Sequence, residues 1–293
     1  MKFRAVIADS AAMKDFMNIA TSLSKFSKEC VMRITSRNVY FIVSEEESGP
    51  RRPLVWCDLP VNFYFKEYNI VGVSEEFNEI YLEFSTALLA RSVSVLKQNV
   101  KNLKIKLTKN EFPCLTLEME LVPEEIQTRQ CVHDIRVEVI SRKHWSNYEE
   151  PRFTDFHVTI SMPPLKHLKN IVERMKSMSH KLIVSANRSG RLILKIETNT
   201  VTLSSHFLDL SLESFAVGHL HTLDDEDSTR ENDGELHAVS STIDIKKFLM
   251  FLSGMQFNNC KALCSIVQNR MVKLYMEQPG AFKLQIFLTE LND

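Results

Sequence analysis

Two clusters in this chain hold the residue types from which active sites are made. The first is the acidic run Asp224, Asp225, Glu226 and Asp227, preceded by His219 and His221. Carboxylates beside imidazoles suggest a divalent cation, and two-metal nuclease chemistry when strands hold the ligands in place. Here they lie in a polar, aperiodic stretch, residues 209–234, so a solvated surface loop is the favoured reading. The second is Cys260 and Cys264, four apart, with no histidine pair at zinc-finger spacing behind them. No P-loop, GxSxG or HExxH occurs. His157 and His206 sit in strand-like runs and read as sheet residues. Trp56 and Trp145 read equally as packing anchors and as partner contacts. The expectation is a chain without a catalytic residue, a metal or a cofactor.

A different chemistry runs along four helix-like segments, on the face opposite each apolar stripe. Lys14, Asn18, Ser22 and Lys25 follow at helical spacing on the first, and Arg91, Ser94, Gln98 and Lys101 on the second. The third carries Lys166, Lys169, Glu173 and Lys176. The fourth carries Lys246 and Lys247, but Met250 and Phe251 interrupt its polar side. A basic helix face is usually just solvated. Four of them in one chain point instead to a surface that holds a phosphate backbone without reading bases. With 36 Lys and Arg against 37 Asp and Glu, the net charge is −1, so the total hides basic helices and acidic strands and loops. No aromatic residues interleave with the basic ones, which argues against a stacking platform for single strands.

The elements that must carry these faces can be read from periodicity. The first helix spans residues 10–24 and buries Met13, Phe16, Met17, Ala20 and Leu23. The second spans 86–100 behind a Ser85 N-cap and buries Leu89, Val93, Leu96 and Val100. The third follows Pro163 and Pro164, with Leu165, Leu168, Val172 and Met175 as its stripe. The fourth spans 244–254, buries Ile245, Phe248, Leu249 and Leu252, and stops at Gly254. Elsewhere period-two alternation dominates, as in Leu103, Ile105 and Leu107 or Leu115, Leu117 and Met119, the habit of antiparallel sheets. In each half a strand leads into a helix, then several strands, a second helix and three more strands. That is an internal repeat.

The expected organisation of the 293 residues is α+β, with one domain over 1–140, a polar connector over 141–155 and a second domain over 156–293. No run of ~18 apolar residues is present to span a membrane. The apolar patch in MKFRAVIADS is too short for a secretory core, so the six cysteines are expected free in a reducing compartment.

Several stretches resemble the Hus family of checkpoint clamp subunits. They are MKFRA at the start, LVWCDLP at 54–60, GVSEEFNEIYLEF at 72–84, LKIKLTKNEFPCLTLEMEL at 103–121 and HDIRVEVISRKHW at 133–145. In the second half LKHLKNIVERMKSMSHKLIVSAN at 165–187, LKIET at 194–198 and KALCSIVQNRMV at 261–272 are similar to it too. The likeness covers nearly the whole chain and is weakest at 45–52 and 209–234.

The resemblance implies the sliding-clamp fold of proliferating cell nuclear antigen: two similar domains, antiparallel sheets outside and two helices per domain inside. It implies a non-enzymatic subunit of a one-to-one-to-one ring with Rad-one and Rad-nine type subunits. A Rad-seventeen clamp loader would place that ring on double-stranded DNA at damage, where it activates checkpoint signalling and stimulates repair enzymes. A nuclear location with a cytoplasmic pool follows. The implied DNA-facing residues are Lys14, Lys25, Arg91, Lys97, Lys101, Lys166, Lys169, Lys176, Lys246 and Lys247. The implied subunit edges are strand 131–140, with Cys131, Val132, His133, Ile135, Val137 and Val139, and strand 201–207, with Val201, Leu203, Ser205 and Phe207. The connector would cross the outer face, where clamp clients dock. A homotrimeric replication-type clamp, a repair nuclease using the acidic loop and a protein-only repair scaffold are the competing readings.

Overall fold

A computed structural model of the chain describes residues 1–45, 52–109, 111–122, 129–151, 153, 155–213, 238–254 and 260–291. They form two compact units. One comprises Met1–Arg152 with Ser253–Cys260 and Met276–Ile286; the other comprises Phe153–Leu252, Lys261–Tyr275 and Phe287–Asp293. His219, His221 and the acidic run at 224–227 lie outside the described residues.

The first unit opens with β1 (Lys2–Ile7) and α1 (Ser10–Phe26). Asp9 starts the helix, its carboxylate accepting from the Ala12 amide at 2.8 Å. The expected stripe Met13, Phe16, Met17, Ala20 and Leu23 is buried. Each of the four larger side chains contributes about 1.5–3 kcal/mol by leaving water. Ser22 does not join the polar face. It is buried, and its hydroxyl donates back to the Asn18 carbonyl at 2.8 Å.

Then follow β2 (Glu29–Ile34), β3 (Asn38–Glu45), β4 (Arg52–Pro60), the single-turn α2 (Val61–Tyr64), β5 (Glu67–Val71), β6 (Ile80–Ser85) and α3 (Thr86–Val93). Ser85 caps α3. This helix is shorter than its periodicity predicts: a 3-10 turn at Ser94–Lys97 ends it, and Val100 already belongs to β7 (Val100–Lys109). Leu96 is only half-buried, so the i, i+3, i+4 spacing of Leu96 and Val100 was a coincidence of composition. β8 (Pro113–Leu121), β9 (Arg129–Arg136) and β10 (Glu138–Val139) complete the run.

The expected strand at 131–140 is thus two strands in two sheets. β9 closes the sheet β5-β1-β7-β8-β9, whereas β10 pairs with β6 beside β2, β3 and β4. Val137 turns between them, its amide donating to the Pro113 carbonyl at 3.0 Å. The strands of this unit pair antiparallel, and α1 and α3 pack against each other on it. The far edge of β4 is covered by a late arrival. β18 (Phe282–Thr289) pairs Lys283 with Asp58, Leu284 with Cys57, Gln285 with Trp56 and Ile286 with Val55.

The second unit repeats the order: β11 (Val158–Ser161), α4 (Leu165–Lys176), β12 (Lys181–Ala186), β13 (Leu192–Glu197), β14 (Thr202–Phe207), β15 (Val239–Asp244), α5 (Ile245–Gly254), β16 (Lys261–Val267) and β17 (Met271–Gln278). One sheet runs β14-β13-β12-β15, and β11 pairs with β16. α4 buries Leu168, Val172 and Met175. α5 buries Ile245, Phe248, Leu249 and Leu252, and also Phe251, which is 0% exposed. Phe251 therefore widens the core stripe rather than interrupting the polar face. Glu290 fastens the end of β18 within this unit, its carboxylate accepting from the Thr242 amide at 2.7 Å and from the Ser241 hydroxyl. The fold is α+β, mostly antiparallel sheet with a few helices.

Candidate nucleic-acid interface and sheet edges

The basic residues of the first unit fall into two kinds. Lys14 and Lys25 stand exposed on α1, and Arg91 stands exposed on the packed partner helix α3. Asp15 sits beside Lys14; partial burial raises its carboxyl and the Lys14 charge pulls it back. The Lys25 ammonium reaches the Ser253 carbonyl at 3.4 Å, its reach along the helix end fixed by a weak contact. Lys97 ends the 3-10 turn, exposed. Lys101 is not on a helix. It lies on β7, where its ammonium pairs with Glu120 at 3.1 Å, so part of its charge is already answered.

In the second unit Lys166 and Lys176 are exposed on α4, and Lys169 is half-buried with Glu173 at 3.8 Å one turn on. On α5, Lys246 is exposed and Lys247 half-buried; both amides donate to the Asp244 carboxylate, at 2.6 and 3.3 Å. Each of α1, α3, α4 and α5 thus presents at least one exposed cation opposite an apolar stripe. Such faces attract phosphate by charge without contacting bases.

The edge residues separate by burial. On β9, Cys131 and His133 are half-buried with Sγ and Nε2 at 3.0 Å, and Val132 is 52% exposed. Ile135 is 2% exposed and Val137, at the turn to β10, likewise 2%. These two serve their own unit's core. Val139 on β10 is 37% exposed and pairs with Leu82. On the other edge Val201 precedes β14 and is exposed, while Leu203, Ser205 and Phe207 are half-buried on one face of it. β9 and β14 each end the strand order of their sheet. A terminal strand offers a row of backbone donors and acceptors to another chain.

Reactive side chains are scarce among the described residues. None of the six cysteines forms a disulfide, and burial raises the thiols of Cys30, Cys57 and Cys264, which keeps them protonated. No cluster of three or more His, Cys, Asp or Glu that could hold a metal occurs among the described residues. No helix there is long and apolar enough to cross a membrane.

Known proteins match this arrangement over the full chain. A family model described as "Hus1-like protein" matches residues 1–292. The chain is 42% identical to human "Checkpoint protein HUS1" over 292 residues, covering 100% of both. It is 29% identical to "Checkpoint protein Hus1-like" of Drosophila melanogaster over 279 residues, covering 94% of each. Among solved structures, proliferating cellular nuclear antigen from Entamoeba histolytica superposes with a TM-score of 0.69 at 11% identity, covering 99% of both chains. PCNA from Thermococcus kodakaraensis gives 0.63 at 15%, covering 98% of this chain and 99% of that one. At such identities the likeness shows the fold alone. Repeated order, paired helices, terminal strands and full-length match converge: the chain belongs to the Hus1 family of checkpoint proteins and carries the sliding-clamp fold.

Proposed function

We propose that this checkpoint clamp subunit acts without catalysis, as one of three different subunits that close a ring around double-stranded DNA. Its partners are one Rad-one type and one Rad-nine type subunit, which meet β9 in the first unit and β14 in the second. A Rad-seventeen type loader places the ring at damage in the nucleus, with a cytoplasmic pool outside it, and the closed ring recruits checkpoint and repair enzymes. The observation that carries this reading is the exposure of Lys14, Lys25, Arg91, Lys166 and Lys246 on helices whose other faces are buried, in a chain of clamp fold. Such a surface suits a duplex that must slide, because charge contacts are not tied to sequence.

Two experiments test it. Native mass spectrometry of the complex that copurifies with the chain should give a one-to-one-to-one assembly; a homotrimer would favour the replication-type reading, and a monomer in the presence of the partner chains would overturn ring formation. In the assembled complex, changing Lys25, Arg91 and Lys169 to Glu should weaken retention on a closed DNA circle at least tenfold, most at raised salt. Unchanged retention would make this a protein-only scaffold.

A further inference from the structure

A groove on the first unit is lined by no residue of β9 and by none of the basic residues of α1 and α3. Its cavity measures about 630 Å³ and is lined by β2, β3, β4 and β6, by the 74–79 loop and by the 3-10 segment Arg142–Tyr148. Its walls are aromatic. The Tyr81 and Trp145 rings stack with centroids 4.5 Å apart and planes 22° apart, and Tyr40 leans on the buried Trp56 at 5.3 Å. The Trp145 indole is held there by donating to the Ile140 carbonyl at 3.1 Å. Tyr40 and Trp145 keep part of their surface open.

The rim is acidic. Five glutamates line the groove against one arginine. That arginine is already satisfied: Arg33 forms a two-point pair with Glu79, both bonds 2.9 Å, and lies 5.3 and 5.5 Å from the Tyr40 and Tyr81 ring centroids. Glu75, Glu76 and Glu149 are exposed and have no ion-pair partner among the described residues. The loop bearing the first two is rigidly set. The Gly72 amide donates to the Asn78 side chain at 2.7 Å, and a Cβ on Gly72 would fall 2.4 Å from the Glu79 nitrogen. The negative field reaches the floor: burial raises the Tyr40 hydroxyl above the usual tyrosine range, and the charges of Asp58 and Glu150 push it further.

We propose that this groove docks an arginine-bearing extended segment of a partner protein, its guanidinium set against the exposed parts of Tyr40 and Trp145 and its charge met by Glu75 and Glu149. Charge complementarity selects a cationic occupant. The aromatic walls select a planar, weakly hydrated cation over a compact one, which favours arginine over lysine. The molecule already displays that chemistry in Arg33 between two tyrosines, in Arg142, whose guanidinium carbon lies 3.3 Å from the Phe77 ring centroid, and in Arg136, 4.0 Å from that of Phe112.

The test uses the full chain and a fluorescein-labelled glycine–serine peptide carrying three arginines. Anisotropy should show saturable binding, at least tenfold tighter than for the same peptide with three lysines, and the emission of the two groove tryptophans, Trp56 and Trp145, should change on binding. Glu75→Lys with Glu149→Lys should weaken binding at least tenfold. Glu111→Lys, an exposed acid on the β7–β8 turn, should leave it unchanged. The milder Glu75→Gln with Glu149→Gln serves should the reversed charges disturb folding. No saturable binding, equal binding of the lysine peptide, or equal loss with Glu111→Lys would each overturn the assignment.

Discussion

The two terminal strands, β9 and β14, are held in opposite ways. β9 is anchored by its own unit. Ile135 drops into the core at 2% exposure, and the Asp134 carboxylate accepts from the Thr116 hydroxyl of β8 at 2.5 Å. β14 has no fully buried residue; exposed positions alternate with half-covered ones, and its support is the backbone ladder to β13. The apolar positions of β13, Leu192, Leu194 and Ile196, are themselves 0–1% exposed, so the core is finished one strand earlier. An edge that is also a wall is folded before any partner arrives. An edge that is only an edge leaves Leu203 and Phe207 partly wet, and an association can still remove that surface from water.

The largest effect that would break this comparison is in stability. Ile135→Ala should cost about 3 kcal/mol in chemical denaturation, because it opens a cavity under β9. Leu203→Ala should cost less than about 1 kcal/mol in the isolated chain; equal losses would erase the distinction. An interior strand sharpens it next. Asp58 on β4 has an oxygen buried without a hydrogen-bond partner, and burial raises its pKa to about 6, with Lys283 opposing and Glu150 adding to the rise. A raised carboxylate pKa means the folded state holds the proton more tightly. Stability therefore falls as pH rises from about 4 to 6, and the penalty is full above that. Asp58→Asn should stabilise the chain by about 1 kcal/mol at pH 8, discounted for partial exposure, and the gain should vanish near pH 4. Thermal melts of both chains across that range check the slope. The smallest effect belongs to β14: Ser204→Ala, which removes only an exposed 3.0 Å contact to His206, should leave the melting temperature unchanged.

Most of the secondary structure was legible because the burial pattern writes itself into the residue order. The alternation of Leu103, Ile105 and Leu107 and the stripes of α1 and α4 each report one element's buried face. What could not be read was which neighbour an element meets. Ile135, Val137 and Val139 alternate with Arg136 and Glu138 without a break, yet Val137 moves the chain from one sheet to another; period two records the buried side and not the pairing strand. Lys101 was misplaced for a related reason, since Val100 fits both the end of a helix and the start of a strand. The aromatic groove was illegible altogether. Tyr40, Trp56 and Tyr81 lie on three strands and meet only through register, Tyr40 facing Arg33 across β2–β3. The exposed cations of the helices were the easiest part of the candidate surface, because the complement of a buried stripe needs no tertiary knowledge.

The pairing of Lys283–Ile286 with β4 also sets an order of events during synthesis. Strand β4 leaves the ribosome more than two hundred residues before the segment that covers its edge. At ordinary elongation rates that interval is on the order of tens of seconds. Throughout it, the nascent first unit carries an unpaired edge through Val55, Trp56 and Cys57. A premature stop anywhere before residue 283 would make that exposure permanent, turning a late C-terminal truncation into an early N-terminal folding defect with a strand available for aggregation.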